Sequence, residues 1–153
     1  MPKIIKHGVV CEDDWLPVNA ETPPETGRIC TLEQWKSLED KRESAVQLEP
    51  GDEPEVLLPF LGELALVTVN FPVFTDGRGF SYARALRENG YTGELRAVGN
   101  FIRDQLTYLR RVGFDAFQMS DEAQLDAALS SLEDFSEYYQ SSIDQPLPLF
   151  RRR

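Results

Sequence analysis

Between residues 64 and 119 short apolar runs alternate with amphipathic stretches, and that rhythm constrains the fold more than any other feature of the chain. Leu64–Phe71 is nearly continuous in apolar character, as a strand covered on both faces requires. A helix is predicted over 80–89, stopped by Gly90, and a strand over 95–98. The next helix, over 101–112, places Ile102, Leu106, Leu109 and Val112 on one stripe, and Gly113 ends it. A strand over 114–119 follows. Ser120 then caps a last helix in which Leu125, Ala128, Leu129 and Leu132 recur at helical spacing. Such alternation predicts an α/β fold with right-handed crossovers and a mainly parallel sheet, in a three-layer or a partial-barrel arrangement.

Before residue 63 the pattern is irregular. KIIKHGVV, a turn at CEDD and then WLPV predict a short β-hairpin, and ETPPETG is a polar connector. Thr31 with Gln34 forms a capping box for a helix over 32–41. AVQL predicts a short strand over 45–48, and a brief helical turn follows over 55–60. At 153 residues the whole is read as one domain. Its parts are an irregular portion over 1–62, a regular core over 63–135 and an extension over 136–153.

Charge narrows the functional classes. Residues 1–64 hold six basic and fourteen acidic side chains, a net of −8, whereas 65–119 hold seven and five, a net of +2. All seven basic residues of that middle segment are arginines. Arginine confined to one segment of an acidic chain suits local recognition of carboxylates or oxyanions, not general polyanion binding. Nucleic acid is therefore disfavoured as a partner. No apolar run reaches the roughly 20 residues of a membrane span, and the first residues lack an apolar signal core, so a cytoplasmic protein is expected. Cys11, Cys30 and the single histidine, His7, are too few and too scattered for a metal site, and both cysteines are read as free thiols.

The chemistry concentrates after the strand at Leu64–Phe71. There Asp76, Gly77, Arg78 and Gly79 form a loop at a strand's carboxyl end, leading into a helix amino terminus, where α/β proteins tend to bind ligands. In the functional reading the Gly77–Gly79 amides and Arg78 hold an oxyanion, Ser81 donates a hydrogen bond and Arg84 extends the basic face. In the structural one, Asp76 and Ser81 satisfy the helix start and the glycines allow a tight turn. Arg96, within a strand, needs a carboxylate or a ligand beside it, Asp104 and Asp76 being the candidates. Asp104 and Gln105 open the following helix, and Asp76 with Asp104 would serve as an acid–base pair if they share a crevice. Phe71, Phe74 and Phe80 are read as core. The loop matches neither a Walker nor a GxGxxG pattern, and no cofactor is predicted, with flavin left open.

FPVFTDGRGFSYARALRENGYTGELRAVG together with RDQLTYLRRVGFDAF resembles the bacterial domain-of-unknown-function family 934. The resemblance places Phe71, Pro72, Phe74, Asp76 to Gly79, Ser81 and Arg84 in the family's main motif. Leu95 to Gly99 occupy its second motif, and Asp104 with Gln105 a third. Members are labelled probable oxidoreductases of sulfite reduction, which implies a pathway more than a reaction. Asn100 stands where members commonly carry Asp, and an amide there cannot transfer a proton. The resulting expectation is an accessory protein of assimilatory sulfite or sulfate reduction, binding a partner such as sulfite reductase or a small oxyanion. The alternatives are a small-molecule enzyme, with Asp76 and Asp104 moving protons and Arg78 and Arg96 clamping an anion, or a flavin-dependent oxidoreductase.

Overall fold

The computed structural model describes residues 3–72, 77–101, 105–119 and 127–128. Its elements, in chain order, are β1 (Lys3–Lys6), β2 (Val9–Glu12), β3 (Cys30–Thr31), α1 (Leu32–Lys36), β4 (Ser44–Leu48), a 3-10 helix at Pro54–Phe60, β5 (Leu64–Phe71), α2 (Arg78–Glu88), β6 (Glu94–Gly99), α3 (Leu106–Val112) and β7 (Ala116–Met119). They form one seven-stranded sheet in the order β2-β1-β7-β6-β5-β4-β3. Strands β3 to β7 run parallel, and β1 joins both β2 and β7 antiparallel.

From β3 to β7 each crossover steps to the adjacent strand in one direction, the winding of a partial barrel, with β2 and β3 as open edges. The described helices therefore pack on one face. Leu32 and Trp35 of α1, Leu57 of the 3-10 helix, Tyr82, Ala83 and Leu86 of α2, and Leu106 and Leu109 of α3 share one core with Val46, Leu48, Val67, Val69, Phe71, Leu95, Ala97 and Phe117. The opposite face carries a smaller cluster, Ile29, Ala45 and Leu66, against which Trp15 and Val18 pack. On the same face Gln47 of β4, Thr68 of β5, Arg96 of β6 and Gln118 of β7 are polar.

Several sequence expectations differ from the structure: α3, expected from residue 101, begins at Leu106, and β7, expected over 114–119, spans Ala116–Met119. The hairpin turns at His7–Gly8, not at CEDD, because both residues have positive φ (53° and 80°), as the tight turn joining Lys6 to Val9 demands. WLPV consequently makes no strand; within it Leu16 forms an isolated bridge to Arg28. Helix α1 spans only Leu32–Lys36, although its Thr31/Gln34 capping box is present in full. Helix α2 begins at Arg78, two residues before the expected start. Ser120, the proposed cap of a last helix, lies outside the described residues.

Candidate functional site

The earlier start of α2 changes what its loop can do. Gly77 is the N-cap, with no side-chain cap bond, and Arg78 and Gly79 belong to the first turn. Gly79 is buried, and a Cβ there would lie 2.5 Å from Phe71 Cζ and 2.9 Å from Val69 Cγ1. This glycine lets the helix close down on β5. Arg78, Ser81 and Arg84 are exposed, and at about 100° per residue they share one outward stripe, which Glu88 continues. Tyr82 points inward, where its hydroxyl accepts a hydrogen bond from Gly51 N at 2.9 Å. The Arg78 guanidinium lies over the same turn, 3.8 Å from where a Gly51 Cβ would stand. Phe80 packs edge-on against Tyr108 of α3, with centroids 4.9 Å apart, and Tyr108 remains 45% exposed. Arg111 is exposed on the same helix. The outer side of α2 and α3 is thus arginine-rich with an aromatic set into it.

Two other arginines serve the interior. Arg87 donates to the carbonyls of Gly113, Tyr91 and Gly93, each at 2.9 Å, and lies 3.6 Å from Asp115. Arg96 is 1% exposed. Its carboxylate neighbours are Asp13, at 2.9 Å, and Glu94, held by Nε at 3.0 Å and a terminal nitrogen at 2.7 Å. Glu94 also pairs with Lys6 at 2.9 Å, which holds the Lys6 ammonium above its ordinary pKa. Two cations and two carboxylates therefore balance on the face opposite α2, and Arg96 faces away from that helix. Asp76 and Asp104, the partners expected for Arg96, lie outside the described residues, as does their geometry as an acid–base pair.

A second polar network lies toward the carboxyl ends of the strands. Glu49 accepts from Asn70 Nδ2 at 2.8 Å and from Gln47 Nε2 at 2.7 Å, and Thr68 donates to Gln47 Oε1 at 3.1 Å. Between the networks is a cavity of about 160 Å3 lined by Asp13, Gln47, Asn70, Gly99 and Gln118, among others. It is smaller than the usual span for a cofactor-sized ligand, about 300–1,000 Å3. Asn100 donates through its side-chain amide to Pro72 O at 2.9 Å, joining the loops after β5 and β6. Gln105 is half-buried at the N-cap of α3.

Of the residues singled out from sequence, Arg78, Ser81 and Arg84 come together on one surface, with Gly77 at its end. Gly79 and Arg96 serve the interior. Sequence reasoning missed Asp13, Trp15, Glu49 and Gln118. Only Asp13 left a signal: an arginine inside a strand calls for a carboxylate, but nothing local indicates one that lies 83 residues away. A family model described as "Bacterial protein of unknown function (DUF934)" matches residues 45–150. No curated protein and no solved structure matches the chain.

Proposed function

The chain belongs to the bacterial family of unknown function DUF934, and from that premise we propose that it is an accessory protein of assimilatory sulfite or sulfate reduction, docking on an enzyme of that pathway. The pathway comes from the motif resemblance, and the mode of action from the α2 surface. One observation carries the docking reading: Arg78, Ser81 and Arg84 lie exposed along one stripe of α2, beside exposed Tyr108. Arginine and tyrosine are the residues that anchor protein interfaces. A flat, solvent-exposed stripe holds a small oxyanion weakly, because water screens each contact, but it suits an extended acidic surface.

A second reading comes from the sequence, where acidic residues follow the carboxyl ends of β5 and β6. In it the chain is a small-molecule enzyme, with Asp76 and Asp104 moving protons.

Growth on sulfate as sole sulfur source separates the two. A deletion strain is expected to fail on sulfate and to grow on sulfide. The wild-type chain and an Asp76→Asn/Asp104→Asn variant should both restore growth, and an Arg78→Glu/Arg84→Glu variant should not. Loss of rescue by the aspartate variant alone would favour the enzyme reading. Normal growth of the deletion strain on sulfate would overturn both.

A further inference from the structure

At the end of the sheet opposite the start of α2, a cavity of about 550 Å3 opens at the amino ends of β3, β4 and β5. That volume falls within the span of about 300–1,000 Å3 typical of small-molecule sites. A local break in the sheet forms its floor. Ser44 pairs with Leu64 and Ala45 with Leu66, so Ala65 has no partner on β4, and β6 joins β5 only from Leu66. Leu64 and Val67 consequently share the helix-side core, which strict strand alternation would forbid. Bulges of this kind re-aim side chains beside binding sites. Here the bulge leaves Ala65 as the one exposed residue of β5, in the middle of the sheet.

The walls specify a ligand. Trp15 lines the cavity half-buried, and among the described residues no acceptor meets its indole N–H, whereas the indole of Trp35 donates to Ser44 Oγ at 2.9 Å. Small groups, Ala45, Ala65 and Cys30, also line the cavity. Burial pushes the Cys30 thiol up, so it stays neutral at physiological pH. An indole beside small side chains leaves room for a flat ring in the cleft.

The rim charges do not cancel. Arg28 is held by Glu25, at 3.0 and 2.8 Å, and by Pro17 O. Arg42 is held by both oxygens of Asp40, at 3.0 and 2.8 Å. Asp40 first, then Glu63 and Glu43, keep the Arg42 guanidinium above its ordinary pKa. The Glu43 carboxylate makes no hydrogen bond or close ion pair among the described residues, and with Glu25 and Asp40 it outnumbers Arg28 and Arg42 around the cleft.

We infer that this cleft binds a small flat aromatic molecule carrying a positive charge, its ring against Trp15 over Ala45 and Ala65 and its cation at Glu43. The site is independent of the α2 surface, and the family match supplies only Ala45 and Ala65 of it.

Calorimetric titration of the full chain with tryptamine, and with indole-3-acetate as the charge-reversed probe, tests the inference. Tryptamine is expected to bind, with indole-3-acetate weaker by about tenfold or more. Ala65→Leu, which fills the floor from an exposed position, should weaken tryptamine by about tenfold or more at an unchanged thermal midpoint. Glu43→Gln should narrow the gap between the probes. If Ala65→Leu lowers the midpoint, Trp15→Ala replaces it, with the same loss expected. Absence of tryptamine binding up to millimolar concentration would overturn the inference. So would equal binding of both probes, or full affinity in the cavity variant.

Discussion

Arg96 shows how a single side chain decides which way a face of the sheet is used. Its guanidinium, 1% exposed, is satisfied by Asp13 and Glu94, and Gln118 lies 3.5 Å from it. Removing one partner of such a pair leaves a buried charge without compensation, which is costlier than never having built the pair. Asp13→Ala is therefore expected to destabilise the fold by about 3–5 kcal/mol, read by denaturant unfolding. A loss under about 1 kcal/mol would mean that water reaches Arg96 and that the pair behaves as a surface one. The sequence showed that Arg96 needs a carboxylate or a ligand, because a charged residue stands between apolar neighbours. It could not show which one. Asp13 sits in a stretch whose local pattern reads as a turn, and no periodicity links positions so far apart. Gly79 misled in the opposite sense. Two glycines around an arginine suggested backbone approach to a ligand, and one of them instead lets α2 close on Phe71.

Among the elements, those whose identity rests on local pattern were legible. The apolar run of β5 fixed its bounds, and the stripe of α3 with Gly113 fixed its end. The hairpin turn was misplaced because polar residues at CEDD mimic a turn, whereas the true one depends on His7 accepting a positive φ. The bulge at Ala65 left no trace, since one alanine inside an apolar run disturbs no pattern. The junction between the end of α2 and the starts of β6 and β7 gives a test at this scale. Asp115 accepts from Leu95 N at 2.8 Å and lies near Arg87, yet burial outweighs both and raises its pKa above the ordinary carboxylate value. Its contribution to stability is thus full below the unfolded pKa of about 4 and is lost as pH rises through the raised folded value. Asp115→Asn keeps an acceptor for Leu95 N and removes the titration. The stability of this variant relative to wild type should rise as pH increases from about 4 toward 7. A difference that stays constant with pH would mean that Asp115 titrates alike in both states.

At the scale of the whole molecule, the winding direction divides the labour. The described helices pack on one face, the opposite face carries charge networks, and Arg78, Arg84 and Tyr108 are exposed on the outer side of α2 and α3. The parallel α/β core was legible from the alternation alone. That the arginines sort into buried and outward sets was not, since both kinds occur within a few residues of one another along the same stretch. The central claim is that the outward set recognises a partner. Co-purification of the tagged wild-type chain and its Arg78→Glu/Arg84→Glu variant from cells growing on sulfate tests it most directly. The two proteins should first be shown to unfold within about 1 kcal/mol of each other. The account predicts that sulfite reductase or another sulfate-assimilation enzyme comes with the wild type and is lost with the variant. Equal recovery with both proteins, or no such enzyme with either from cells that express the pathway, would contradict it.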